Sequence, residues 1–254
     1  MKPKYRKPAP ERTRSFPALP NPDETASVVP AAGAGLRLPG AVAKQFRDLA
    51  GKPLFQHCLL RISRSGLVGR IVLVHPPGPD PPELPRGLDV DVHLVEGGAR
   101  RQDSVRNGLD ALGDDVSWVV VHDGARPLVT PELIERCLRG AAQTGAAIAA
   151  LPVVDTVKLG DAEGFIEATR PREGLWLAQT PQVARRELLV RAMEWAVAND
   201  FEGTDEAALL EAVGVRVKLV EGSARNIKVT TPGDMERAAR LMELERHAEA
   251  GAST

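Results

Sequence analysis

The chain has 254 residues, of which 43% are hydrophobic, a length and composition that suit one large α/β domain or a domain with an appendage. Its formal net charge of -1 gives no global field to attract nucleic acid, and with 4% aromatic residues there is no basic aromatic ridge on which bases would stack. No apolar run approaches the roughly 18 residues of a membrane span, and the N-terminus carries cations without an apolar signal core, so a cytoplasmic protein with neither a membrane nor a nucleic-acid partner is expected.

Residues 1 to about 25 interleave Pro3, Pro8, Pro10, Pro17, Pro20 and Pro22 with Lys2, Lys4, Arg6, Lys7, Arg12 and Arg14. Such a segment cannot bury enough apolar surface to fold alone and reads as a disordered, solvated basic tail. A strand, Ser27 to Ala31, then enters a loop of tiny residues, Ala31-Ala32-Gly33-Ala34-Gly35, followed by Arg37 and by Lys44-Gln45-Phe46. Small residues let backbone approach a ligand, and free N–H groups in such a loop can hold phosphate oxygens. Arg37 and Lys44 add positive charge where a phosphoryl group would react. Leu36 and Arg37 stand where a P-loop needs Lys-Ser/Thr. The run also lacks the third small residue of a dinucleotide fingerprint, and the next strand ends in His75-Pro76 rather than an acid. A P-loop ATPase and a nicotinamide dehydrogenase therefore both fit poorly.

Pro53 opens a helix with Leu54, Phe55, Cys58, Leu59 and Ile62 on one face. Strands follow at Arg70 to Val74 and, after a Pro-rich loop, at Asp91 to Val95, which runs into Glu96-Gly97-Gly98-Ala99-Arg100-Arg101. Ser104 to Leu112 reads as helix. Trp118 to Val121 is an apolar strand that stops at His122-Asp123-Gly124-Ala125-Arg126-Pro127. Thr130-Pro131 starts a helix with a hydroxyl cap and proline at its first position, and Ala146 to Leu151 is another strand. This alternation predicts parallel strands joined by right-handed helical crossovers. Cys58 and Cys137 fall in apolar helical patterns and read as core residues rather than a disulfide or metal pair.

The pattern breaks between Pro152 and Pro181. Thr156 to Leu159 and Phe165 to Thr169 predict a hairpin that cannot bury a core face by itself, so it is expected to project and to pack on a second subunit. Helices resume at about Arg185 to Ala198 and Thr204 to Val213, with strands expected at Arg216 to Val220 and Asn226 to Val229. Thr231-Pro232-Gly233-Asp234 carries a capping-box pattern for the last helix. In parallel sheets ligands bind at the carboxyl ends of strands. Three such ends carry the notable polar groups: the small-residue loop, Gly97 to Arg101, and Asp123. A carboxylate there suits Mg²⁺ held together with substrate phosphates. His122 reads as a packing or orienting residue rather than a base, and Lys228 stands between Ile227 and Val229.

Taken together, these segments resemble the 2-C-methyl-D-erythritol 4-phosphate cytidylyltransferases. The matching stretches are Pro30 to Arg37, Lys44-Gln45-Phe46, Gly97-Gly98 with Arg101 to Val105, Val121 to Pro127, Pro152 to Lys158, Gly174-Leu175-Trp176 with Gln179 to Gln182, Thr204 to Ala207 and Asn226 to Thr230. They extend from about residue 27 to 240. Ala99 departs from the family's usual acid after the two glycines, and Ala43 from its usual proline.

The resemblance implies a Rossmann-like nucleotidyltransferase fold, mostly parallel and flanked by helices, over residues 26–248. A basic tail over 1–25 lies outside it, and a β-arm over 152–181 would join a homodimer. It implies Mg²⁺-dependent transfer of CMP from CTP to methylerythritol phosphate, with Arg37 and Lys44 catalytic at the α-phosphate. Arg172, Lys228, Thr156, Arg126 and Thr180 would position the acceptor, Thr156 and Arg172 across the dimer. Ala31 to Gly35, Gly98, Arg101, Ser104 and Asp123 would bind the nucleotide, with Asp123 also the acid near the metal. A cytidylyltransferase for another polyol phosphate, such as ribitol 5-phosphate, a nucleotidyltransferase using GTP or UTP with a sugar 1-phosphate, and a non-catalytic nucleotide-binding regulator are the competing readings.

Overall fold

A computed structural model describes residues 18–33 and 44–252. Seven strands form one sheet: β1 (Thr25–Pro30), β4 (Arg70–His75), β5 (Asp91–Glu96), β6 (Trp118–Val121), β7 (Ala146–Pro152), β10 (Trp176–Arg185) and β11 (Lys218–Glu221), in the order β11-β7-β10-β6-β1-β4-β5. All neighbours run parallel except β10, which is antiparallel to β6 and β7. The helices are α1 (Leu54–Ser63), α2 (Arg101–Asp110), α3 (Pro131–Thr144), α4 (Arg186–Ala198), α5 (Glu206–Ala212) and α6 (Pro232–Ala252). β2 (Asp48–Leu49) and β3 (Lys52–Pro53) make a small ribbon before α1, and β8 (Val157–Gly160) pairs with β9 (Ile166–Arg170) as a separate hairpin.

The central strands are apolar on both sides because helices cover both faces of the sheet, as parallel sheets require. On one face Val29, Leu73 and Val120 pack with Phe55, Leu59 and Ile62 of α1 and with Leu133, Cys137 and Leu138 of α3. On the other, Val28, Val74 and Val121 meet Val105 and Leu109 of α2 and Leu189 and Met193 of α4. Gly108 of α2 is needed for this approach, since a Cβ there would lie 2.6 Å from a methyl of Val28. The caps of α3 follow the sequence: the Thr130 hydroxyl accepts from the Leu133 N–H at 3.4 Å, Pro131 is the first helical residue, and Gly145 ends the helix at φ 91°. Cys58 and Cys137 are buried free thiols, with burial pushing the thiol of Cys137 up to about 12.

Three expectations change. β10 is a ten-residue inner strand of the sheet, beginning where the sequence pattern had broken down. Asn226 to Val229 is not a strand: the Ile227 N–H turns back to Arg225 O at 2.8 Å and the Val229 N–H goes to Ala125 O at 2.8 Å, so neither serves a ladder. Residues 18–24, assigned by composition to the tail, are ordered: Leu19 packs against the core, and Pro22–Glu24 forms a single 3-10 turn over Gly69. β8 and β9 form a hairpin apart from the main sheet, and Phe165 and Ile166 on it, with Val154 just before it, are between 66% and 72% exposed.

Candidate active site

The carboxyl ends of β1, β5 and β6 converge on a cleft of about 230 Å³. Its floor is the backbone of Pro30 to Gly33. One wall is Gly98 to Arg101 with Ser104, and the other is Asp123, Ala125 and Lys228, with Gln45 completing the rim. Close backbone approach shapes it. A Cβ on Gly97 would fall 2.2 Å from Ala32 Cβ and 2.9 Å from Ser104 Oγ, so only glycine lets the two loops meet. The Gly97 N–H bonds His75 O at 2.8 Å, and the Gly98 N–H donates to Ser104 Oγ at 3.1 Å, fixing the start of α2. Gln45 holds the opposite lip: its amide donates to Ala31 O at 2.5 Å and to Gly33 O at 3.0 Å.

Asp123 is the electrostatic centre. Arg101 Nε and Nη2 donate to its Oδ1 at 3.2 and 3.1 Å, Lys228 Nζ meets its Oδ2 at 2.8 Å, and Arg126 Nε lies 3.8 Å from Oδ2. Burial by itself would push this carboxyl up, but Arg101, Lys228 and Arg126 together outweigh it and hold the group well below the usual carboxylate range. Arg101 is shared with Glu206, a 2% exposed carboxylate at the start of α5, through bonds of 2.7 and 3.0 Å.

His122 lies beneath, fully buried. The Asp123 N–H donates to Thr180 Oγ1 at 3.1 Å, so the Thr180 hydroxyl proton is free to go to His122 Nδ1 at 3.0 Å. Nε2–H then donates to Arg126 O at 3.1 Å, which assigns the neutral tautomer. Burial drives the imidazole down to about 4, in keeping with an orienting role and not a base. Arg126 Nη1 donates to Asn226 O at 2.8 Å, and Asn226 Nδ2 to Thr180 O at 2.7 Å, tying the loop that carries Lys228 to β10 and to the turn after β6.

Of the residues singled out in the sequence, Ala31, Ala32, Gly33, Gly98, Arg101, Ser104, Asp123 and Lys228 line the cleft. Arg126 and Thr180 support it from below. Thr156 and Arg172 do not reach it: both are exposed on the arm, where Arg172 Nη1 donates to Val154 O. Ala34, Gly35 and Arg37 lie outside the described residues, as does the side chain of Lys44, whose backbone opens a 3-10 turn. Sequence reasoning quoted Gln45 and Glu206 only within matching stretches and gave neither a role. The signal for Gln45 was its place beside Lys44; that for Glu206 was a carboxylate heading the apolar run Ala207 to Leu210.

The described residues do not build a protein-held divalent-cation site. Both oxygens of Asp123 are taken by cations, and among the described residues no three His, Cys, Asp or Glu side chains cluster to hold a metal.

A mostly parallel α/β sheet with small-residue loops, cations and one shared carboxylate at its strand ends defines a nucleotide-handling transferase. Residues 25–244 match the family model for IspD, 2-C-methyl-D-erythritol 4-phosphate cytidylyltransferase. The Syntrophus aciditrophicus cytidylyltransferase of that name is 42% identical over 224 residues, 86% of this chain and 96% of that protein. The Pelotomaculum thermopropionicum one is 43% identical over 236 residues, 90% and 99% of the two chains. The crystal structure of the Thermus thermophilus enzyme superposes with a TM-score of 0.74 at 36% identity, covering 86% of this chain and 98% of that one. The chain belongs to the 2-C-methyl-D-erythritol 4-phosphate cytidylyltransferase family, whose members are nucleotidyltransferases.

Proposed function

We propose that this chain transfers CMP from CTP to 2-C-methyl-D-erythritol 4-phosphate, releasing pyrophosphate and CDP-methylerythritol. The observation that carries the reading is the cleft itself: Lys228 and Arg101 held on Asp123 against a floor of small-residue backbone, in a chain of this family. The nucleophile is an oxygen of the acceptor phosphate. With a second pKa near 6 it is largely ionised at neutral pH, so no general base is required. His122, buried and bonded through both ring nitrogens, is not available as one. The remaining difficulty is bringing two polyanions together, and fixed cations with preset geometry supply that. In-line attack forms the new P–O bond at the α-phosphorus as the bond to the pyrophosphate oxygen breaks.

Lys228 is assigned to the acceptor's phosphate, and Arg37 and Lys44, which follow the small-residue loop in sequence, to the α-phosphate. Gly98 and Ser104 are assigned to cytidine. Mg²⁺ enters this reading as counter-ion of the triphosphate, and abolition of pyrophosphate release by chelator tests it. The exposed apolar arm supports a homodimer in which Thr156 and Arg172 act on the partner's acceptor. If so, Lys44→Ala and Arg172→Ala proteins, each weak alone, should regain part of the wild-type rate when mixed and allowed to exchange subunits. Absence of rescue with exchange verified counts against the shared site. Among the described residues no helix is long and apolar enough to cross a membrane, and the reading places the enzyme in the cytoplasm with small-molecule partners.

The deciding experiment measures pyrophosphate release from CTP with methylerythritol 4-phosphate, beside ribitol 5-phosphate and an acceptor-free control. Turnover with the first acceptor alone is expected. Turnover only with ribitol phosphate changes the substrate, and CTP binding without turnover on either acceptor makes the chain a regulator.

A further inference from the structure

Arg101 spends four hydrogen bonds on two carboxylates: Nε and Nη2 on Asp123 Oδ1, and Nη1 and Nη2 on the two oxygens of Glu206. A guanidinium fork normally takes both oxygens of one carboxylate. Here it takes only one oxygen of Asp123, and the other meets Lys228 at 2.8 Å, with Arg126 Nε farther off at 3.8 Å. Glu206 occupies the rest of the fork. It is itself bolted down, because the neighbouring Asp205 caps α5 by accepting from the Ala208 N–H at 2.9 Å and accepts from Gln182 Nε2 at 2.9 Å, while Gln182 Oε1 accepts from the Ala207 N–H at 3.0 Å. Charges alternate from the buried start of α5 to the open cleft: Glu206, Arg101, Asp123, Lys228.

We propose that Glu206 is a positioning residue: it restrains Arg101 to a single oxygen of Asp123 and so reserves the other for Lys228, whose ammonium is thereby aimed into the cleft. The inference rests on the proposed cytidylyl transfer for its kinetic consequence but not for its geometry. With Glu206 neutral, Arg101 has one anionic partner left and turns to grip both oxygens of Asp123, displacing Lys228. The local charge also becomes one unit more positive, which favours a triphosphate. Binding and turnover should therefore part company.

In Glu206→Gln, kcat is expected to fall by about tenfold to a hundredfold, at or below the roughly 10²–10³ lost when a preorganised donor to the reacting group is deleted, because Lys228 is displaced and not removed, while the KM for CTP does not rise. A ligand-free crystal structure of the variant should show Arg101 on both oxygens of Asp123 and Lys228 moved off it. Glu206→Asp keeps the buried charge balanced but withdraws the carboxylate by one methylene, and guards against misfolding of the first variant. It should lose several-fold in kcat, again without a higher KM. A lower melting temperature with kcat and KM unchanged in both variants, or Lys228 still on Asp123 in the Glu206→Gln crystal, overturns the proposal. A wild-type enzyme inert with CTP and both acceptors instead overturns the proposed reaction, and the crystallographic comparison still decides the role of Glu206.

Discussion

Replacing Lys228 by alanine is expected to lower kcat by about a hundredfold or more, the scale set by removing one preorganised charge partner of a reacting centre. The preorganisation is visible in the chain on either side. Val229 is fully buried in a small cluster with Leu49, Leu54 and Ala238, and its N–H is tied to Ala125 O. Asn226 is fully buried and clamped between Arg126 and Thr180. Between these anchors the Lys228 side chain keeps about a third of its surface open, pointing across Asp123 into the cleft. Its ammonium has three donors and spends one on Asp123. Because the group is partly exposed, its loss should cost little stability, on the order of 1 kcal/mol or less. A large kinetic loss with a nearly unchanged melting temperature is the signature to look for. Lys228→Arg restores the charge but not the compact ammonium geometry, so it should recover only part of the rate. Turnover within about threefold of wild type in Lys228→Ala would remove this residue from the mechanism.

The sheet and the cleft differ in how far the sequence foretells them. β6 is an unbroken apolar run, and so is β4 from Ile71 to Val74, because both their faces are covered. The polar turn at the end of β6 is what made Asp123 legible; the glycine loops, which follow β1 and β5, were legible from their own small residues. β10 was not legible, for a physical reason. It carries Gln179, Thr180, Pro181 and Gln182 through the middle of the sheet, a composition that reads as loop, and proline is normally kept out of central strands. The structure accommodates it through a register break against β7 between Ala178 and Gln182. The polar side chains are all satisfied internally: Gln179 bonds Ser223, Thr180 bonds His122, and Gln182 bonds Asp205 and Ala207. Each partner is distant in sequence, so no local window contains the signal. The same holds for Glu206, which meets Arg101 across 105 positions. A local reading treats a carboxylate at a helix start as a solvated complement to the helix dipole; only the fold reveals that it is buried. Lys228 was given a role only through the family resemblance of Asn226 to Thr230, and was placed on the wrong backbone, because alternating Asn-Ile-Lys-Val imitates a strand although its N–H groups serve no ladder.

Asp123→Asn should damage stability and turnover together, unlike Lys228→Ala. The carboxylate is 6% exposed and is shared by Arg101, Lys228 and Arg126, and an amide can satisfy them only partly because its own NH₂ must face a donor. Removing one member of a buried ionic cluster costs about 3–5 kcal/mol. The low end applies, since the side chains of Arg101 and Lys228 are 31% and 36% exposed. At roughly 2–4 °C per kcal/mol for a chain of this size, about 3 kcal/mol lowers the melting temperature by roughly 6–12 °C. The loss has a pH signature whose sign is fixed by the direction of the shift. In the fold the Asp123 carboxyl is held well below its unfolded value of about 3.9. The stability it confers is therefore fully present above that value and is lost as the pH falls toward the folded one. Denaturation of wild type and Asp123→Asn should differ most above about pH 5, and the two curves should converge as the medium becomes more acid than about pH 4. A gap independent of pH would mean that Asp123 stabilises by packing and not by its charge. Its assignment as the anion that organises three cations would then fail, and with it the account of how Lys228 comes to face the cleft.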